Sequence, residues 1–256
     1  MAKATPKTPT VTEFKQYEWI AASPSVPRHK QRLMIVLHGR GDNLKSFRSI
    51  KEELKLPEMN YLLLNAPRRY DGGYTWYAFP PKQANGVLLA RKKLTALLHE
   101  LEFQGWAPEE IFLYGLSQGC LVSCDFAMNS GIKTAGIIGI SGYIYFFENW
   151  KRDLTETSFA TPMLITHGVF DEDLPMLETR EHVEKLKAAG LNILWKEFNK
   201  AHEIDEENEA PFIRQWVKAQ INRSAAKPAS IAETLLKFLL GNREQSGRVS
   251  GTTVRR

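Results

Sequence analysis

Six short apolar runs, each parted from the next by a stretch of helical periodicity, constrain this chain more than anything else in it. The runs cover residues 32–38 (RLMIVLH), 61–65 (YLLLN), 111–114 (IFLY), 135–140 (AGIIGI), 163–167 (MLITH) and 193–198 (ILWKEF). Most are continuous rather than alternating, the pattern of strands buried on both faces. Helical spacing falls at 44–54, 83–103, 118–129, 177–189 and 206–221. Val87, Leu88, Leu94, Leu97, Leu98 and Leu101 recur at helical intervals in the longest of these, and Gly190 stands where a helix C-cap would. This alternation predicts a doubly wound, mostly parallel α/β sheet with helices on both faces. Residues 13–21 (EFKQYEWIA) read as an antiparallel edge strand ahead of it.

The 256 residues, 43% apolar and 25% charged, suit one large soluble domain. At that length folding buries roughly three quarters of the unfolded surface, so the core needs neither metal nor disulfide. Cys120 and Cys124 lie one helical turn apart and read as small packing residues of a protein from a reducing compartment. Residues 1–12 are rich in Lys, Thr and Pro with no apolar run behind them. No stretch approaches the ~18 apolar residues of a membrane span, so a cytoplasmic location is expected.

The net charge of +5 suggests nucleic acid until it is divided along the chain. Residues 33–217 carry 20 Lys and Arg against 25 Asp and Glu, whereas 1–32 carry 6 against 2 and 218–256 carry 8 against 2. A mildly acidic centre offers no footprint for a phosphate backbone, and no nucleic-acid partner is expected. The expected organisation is a flexible N-terminus over 1–12, a domain over 13–221 and a basic extension over 222–256. Within the extension, 222–230 (NRSAAKPAS) reads as a linker. Residues 231–240 read as a short helix with Ile231, Leu235, Phe238 and Leu239 on one face, and 241–256 as a disordered end. Such a basic tail is suited to peripheral contact with an anionic membrane.

The run at 111–114 leads straight into Gly115-Leu116-Ser117-Gln118-Gly119, where helical spacing begins at once. This is the form of a nucleophile elbow, in which a strained strand-to-helix turn lifts the serine hydroxyl above the sheet and flanking glycines let strand and helix close. A serine hydroxyl is a weak nucleophile near neutral pH, so a general base must reach it and an acid must orient that base. The α/β-hydrolase order is Ser, then Asp or Glu, then His. His29, His38 and His99 precede the serine; His167 ends a strand ahead of any suitable acid; His182 falls in a helical pattern where an exposed position is expected. His202 remains, in the loop after 193–198. The acid belongs in the loop after 163–167, where Asp171, Glu172 and Asp173 all stand, and spacing does not choose among them.

An oxyanion hole needs two backbone N–H groups, each worth about 3–4 kcal/mol to the transition state. Gln118, after the serine, fits one, and Arg40, between Gly39 and Gly41, fits the other. No metal and no cofactor are expected: His38, His167 and His202 end three different runs, and no HExxH occurs.

LHGRGDN at 37–43, NAP at 65–67, GLSQG at 115–119, ISGY at 140–143, HGVFDEDLP at 167–175 and AH at 201–202 follow one another in this order. Together they resemble the motifs of the phospholipase/carboxylesterase family of α/β-hydrolases, which includes the acyl-protein thioesterases, over about residues 32–217. The resemblance implies an α/β-hydrolase catalytic domain over 13–221 and a serine carboxylesterase working through an acyl-enzyme. The implied substrate is a small-molecule or lipid-like ester, with thioesters and lysophospholipids in the same class. Residue by residue, it implies Ser117 as nucleophile, Asp171 as acid and His202 as base, with the Arg40 and Gln118 amides as oxyanion hole. It thereby singles out one of the three carboxylates. The chain departs from the family pattern in Ala201 before the histidine, where Gly is usual, and in Glu172-Asp173 after the acid, where small and apolar residues are usual. The other reading of the same residues is a catalytically silent scaffold used for binding.

Two aromatic loops, 70–81 (YDGGYTWYAFPP) and 142–150 (GYIYFFENW), follow predicted strands. Ligands of open parallel sheets bind beyond the strand carboxyl ends. Tyr74, Trp76, Tyr77, Phe79, Tyr143, Ile144, Phe146 and Phe147, with Leu174 from the acid loop, are therefore candidates for an acyl or alkyl pocket wall.

Overall fold

The computed structural model describes residues 8–149, 154–174 and 176–226. Along the chain the strands are β1 (Tyr17–Ile20), β2 (Arg32–Leu37), β3 (Met59–Leu64), β4 (Arg68–Tyr70), β5 (Gly73–Thr75), β6 (Ile111–Leu116), β7 (Gly136–Ile140), β8 (Met163–Gly168) and β9 (Ile193–Phe198). Seven form one sheet in the order β1-β3-β2-β6-β7-β8-β9, parallel throughout except for β1, the antiparallel edge strand anticipated from the sequence. The helices are α1 (Ile50–Leu54), α2 (Gln83–Phe103), α3 (Gln118–Asn129), α4 (Glu156–Ala160), α5 (Met176–Ala188) and α6 (Glu209–Ala226).

Burial explains the apolar runs. Strands β3, β7 and β8 are buried at every position, and β2 and β6 nearly so, because both faces of the sheet are covered. On one face Leu33, Ile35, Leu37, Leu113 and Ile137 meet Val87, Leu94 and Leu98 of α2 and Leu121 and Val122 of α3 in one core. On the other, Phe47 packs edge-on against Tyr114, and the Trp216 ring of α6 covers Gly136. β9, at the edge, alternates in burial instead.

The chain leaves β2 for β3 on one side and later enters β6 on the other. The loops at the carboxyl ends of β2 and β6 therefore diverge, opening a crevice at this switch point.

Several elements differ from expectation. The helix expected over 44–54 is broken into a single 3-10 turn, Leu44–Phe47, and α1. The hairpin β4–β5 and the short α4 are not legible in the sequence: β4 is exposed at all three positions and carries no periodicity. Residues 10–12 of the segment expected to be flexible are fastened to α2 and its end, Thr10 N–H donating to Gln104 Oε1 at 2.8 Å and Thr12 N–H to Glu100 Oε2 at 3.0 Å. α6 runs to Ala226 through the beginning of the expected linker, since Asn222, Arg223 and Ser224 tolerate a helix and the next proline is Pro228. The chain divides into two units, 1–220 and 221–256; of the second, the end of α6 is described. The expected helix over 231–240 and the tail beyond it lie outside the described residues. Among the described residues no helix is long and apolar enough to cross a membrane.

Candidate active site

Ser117 sits between β6 and α3 with φ 55° and ψ −114°, a conformation that a non-glycine residue adopts only under constraint from its surroundings. The constraint is visible on both sides. A Cβ on Gly115 would lie 2.2 Å from the Gly119 backbone, and one on Gly119 would lie 2.1 Å from Leu37 O. Only glycines let strand and helix approach this closely. Ser117 N–H donates to Ile140 O at 2.8 Å, tying the turn to β7.

The loop after β2 faces this turn, with the Cβ position of Gly39 3.4 Å from Ser117 Cβ. Its fixed point is His38, fully buried. Ala66 N–H donates to His38 Nε2 at 3.1 Å, so Nδ1 carries the ring proton and donates to Gly39 O at 2.5 Å. Burial lowers the His38 pKa against the opposing pull of Gly39 O and Asp42, which keeps the ring neutral in this role. Gln118 opens α3, where N–H groups have no intrahelical acceptor. Its side chain turns away to clamp the loop after β5: Oε1 accepts from Thr75 Oγ1 at 2.9 Å and Trp76 N–H at 3.0 Å, and Nε2 donates to Tyr77 O at 3.0 Å.

The acid and base candidates meet in the loops after β8 and β9, at the same end of the sheet. His202 Nδ1 lies 2.8 Å from Asp171 Oδ2, an arrangement in which Nδ1–H donates and Nε2 is left free. Asp171 Oδ1 accepts from Asp173 N–H at 3.1 Å and Leu174 N–H at 3.0 Å. Burial by itself would raise the Asp171 pKa. The His202 hydrogen bond, the Leu174 amide and the neighbouring His202 and His167 rings outweigh it and hold the carboxyl below its ordinary range. Of the three loop carboxylates, Asp171 is the one bonded to His202.

Ser117, His202, Arg40 and Gln118 line one cavity of about 360 Å³. Tyr77, Phe79, Tyr143 and Leu174 share its wall, and the Arg40 guanidinium lies 4.2 Å over the Phe79 ring. Three other pocket candidates lie elsewhere. Trp76 is wholly buried because its indole N–H donates to His38 O at 2.9 Å. Tyr74 lines a separate cavity of about 400 Å³ with Phe14, Asn65 and Arg69, and Ile144 belongs to the core. Phe146 and Phe147 also pack against that core.

Chain order sets His167 aside as a base, yet its Nε2 stands 3.2 Å from Asp171 Oδ2. The signal is the i, i+4 spacing, which in a loop that doubles back brings the two together. His182 is half-buried, stacked on Phe147 at 3.7 Å.

A doubly wound sheet whose switch-point crevice holds a serine on a strained elbow, with a histidine–aspartate pair beside it, defines an α/β-hydrolase. The profile of the phospholipase/carboxylesterase family matches residues 20–221, and the chain belongs to that family. It is 24% identical to acyl-protein thioesterase 1 of Gibberella zeae over 198 residues, 68% of this chain and 84% of that one. It is also 24% identical to carboxylesterase SOBER1 of Arabidopsis thaliana over 207 residues, 74% of this chain and 91% of that one. A rice relative named as a probable inactive carboxylesterase is 25% identical over 138 residues, 54% of this chain and 56% of its own length. Among solved structures, a point variant of SOBER1 from Arabidopsis thaliana superposes with a TM-score of 0.68 at 25% identity, covering 74% of this chain and 99% of that one. Acyl-protein thioesterase 2 of Zea mays does so with the same TM-score of 0.68 at 19% identity, covering 81% and 100%, and shares the fold.

Proposed function

We propose that the protein hydrolyses carboxylic esters through Ser117, His202 and Asp171, with the Arg40 and Gln118 amides stabilising the oxyanion. The observation that carries the reading is the 2.8 Å His202–Asp171 contact on the cavity that also holds the strained Ser117. His202 Nε2 takes the Ser117 hydroxyl proton as Oγ attacks the ester carbonyl, and the negative charge passes to the carbonyl oxygen facing the two amides. When the intermediate collapses, the carbon–oxygen bond to the alcohol breaks and the alcohol leaves with the proton from His202. Water then repeats the sequence on the acyl-enzyme, releasing the carboxylic acid and restoring the serine. Asp171 stays ionised throughout, holding the Nδ1–H tautomer and stabilising the imidazolium.

Tyr77, Phe79, Tyr143 and Leu174 give the cavity an apolar side suited to an acyl or alkyl chain. Lysophospholipids present the same carbonyl and the same leaving-group step, and in a thioester the carbon–sulfur bond breaks instead and a thiol leaves. The test is hydrolysis of p-nitrophenyl esters from acetate to palmitate by the wild type and Ser117→Ala near neutral pH. We expect turnover in the wild type, highest with medium chains, and loss of about 10⁴-fold or more in the variant. A flat chain-length profile would remove the apolar pocket from the reading. A wild type inert towards every ester would favour the silent scaffold, the reading for which the rice relative's name speaks.

A further inference from the structure

Lys200 lies two residues before His202, yet its side chain turns inward and is only 2% exposed. The ammonium donates to Glu209 Oε2 at 2.6 Å and to Glu203 O at 2.7 Å. Glu209, fully buried at the start of α6, accepts through the same oxygen from Asp205 N–H at 3.1 Å. One ion pair therefore grips the chain at two points just after His202. The lysine backbone reaches the other way, Lys200 O accepting from Phe170 N–H at 3.1 Å while Val169 N–H donates to Phe198 O at 2.9 Å. The pairing of β8 with β9 thus continues past the sheet edge into the loops that carry Asp171 and His202. Gly168 permits it: a Cβ there would lie 2.3 Å from Lys200 O.

Net stability is a poor explanation for this pair. Desolvation offsets most of the attraction in a buried ion pair, and apolar residues of equal volume commonly do as well. Glu209 Oε1, moreover, is buried without a hydrogen-bond partner among the described residues.

We propose that the Lys200–Glu209 ion pair is a positioning device for His202, fixing the loop so that the imidazole stays in register with Asp171 and faces the Ser117 cavity. This rests on His202 being the general base. The pair also balances the local field. Lys200 faces Glu209 on α6, Asp205 in the loop and Asp171 after β8, with His167 of β8 beyond, and Glu209 faces Tyr114 of β6. Removing either member leaves the other's charge uncompensated at the base of the loop that carries His202, with opposite sign in the two cases.

The experiment follows hydrolysis of p-nitrophenyl butyrate against pH by the full chain carrying Lys200→Met, Glu209→Gln or both, beside wild type and Ser117→Ala. Lys200→Met leaves a carboxylate that favours the imidazolium, so the acidic limb of kcat/KM moves to higher pH; Glu209→Gln leaves an ammonium and moves it to lower pH. Both lower plateau kcat about tenfold with KM within about twofold, the signature of a misaligned base rather than a damaged pocket. The double variant returns the limb to its wild-type place and leaves kcat low. Limbs that stay put or shift together, or a double variant with wild-type kcat, overturn the proposal. Should Lys200→Met fail to fold, the isosteric Glu209→Gln decides by the same two readouts. If Ser117→Ala is as fast as wild type, the esterase reading falls and this one with it. If Ser117→Ala is dead while the other variants match wild type, the positioning role alone falls.

Discussion

The two sides of the Ser117 cavity are held by different means. On the β2–β6 side, Ser117 is fixed by backbone: a left-handed φ, two glycines with no room for a Cβ, and an amide hydrogen bond to β7. On the β8–β9 side, Asp171 and His202 stand on loops that side chains secure as well as backbone, among them the His202–Asp171 hydrogen bond and a buried lysine–glutamate pair. Backbone constraint is indifferent to proton concentration, whereas side-chain ties carry ionisable groups. The geometry of Ser117 is thus fixed sterically, and that of Asp171 and His202 in large part electrostatically.

The sharpest test of the electrostatic side is Asp171→Asn, which keeps the shape and removes the charge that holds the Nδ1–H tautomer. Ester kcat should fall about 10⁴-fold with the fold retained, measured by steady-state kinetics beside circular dichroism; a loss under tenfold would mean that Asp171 does not orient the base. On the steric side, Gly119→Ala drives a methyl into Leu37 O. It should cost about 3 kcal/mol or more, read as a melting temperature lower by about 6–12 °C. An unchanged melting temperature would show that the helix can step back from the strand. The smallest effect concerns acid. Asp171 is held below its ordinary pKa in the folded chain, so the stability it contributes is complete above the unfolded carboxyl value of about 4 and is lost as pH falls through the lowered folded value. In denaturant titrations the stability gap between wild type and Asp171→Asn should therefore be constant near neutrality and close below about pH 4. A gap that persists there would assign it to packing.

The same contrast governs what can be read from the sequence. Steric requirements leave marks in local sequence: continuous apolar runs mark the central strands, and the Gly-flanked serine between run and helix announces the elbow. Side-chain ties do not. Nothing near Lys200 signals a partner nine residues on, because the pairing depends on how the loop folds back over Gly168. Chain order passes over His167, although a reversing loop makes it a neighbour of Asp171. The aromatic loops are legible, but the direction of each ring is not, since Trp76 follows its indole hydrogen bond to His38 O while Tyr77 faces the cavity. The hairpin β4–β5 escapes because β4 has no buried face.

Gln118 belongs to both kinds of hold at once. Its amide is the one proposed to face the oxyanion, and its side chain grips the chain at Thr75, Trp76 and Tyr77, the last of which walls the cavity at Ser117. Rate and selectivity thus share one joint. A lineage that lengthens or shortens the stretch between β5 and α2 to admit a new ester also pulls on the group that steadies the reaction, so new substrates come within reach only by changes that leave this anchorage intact.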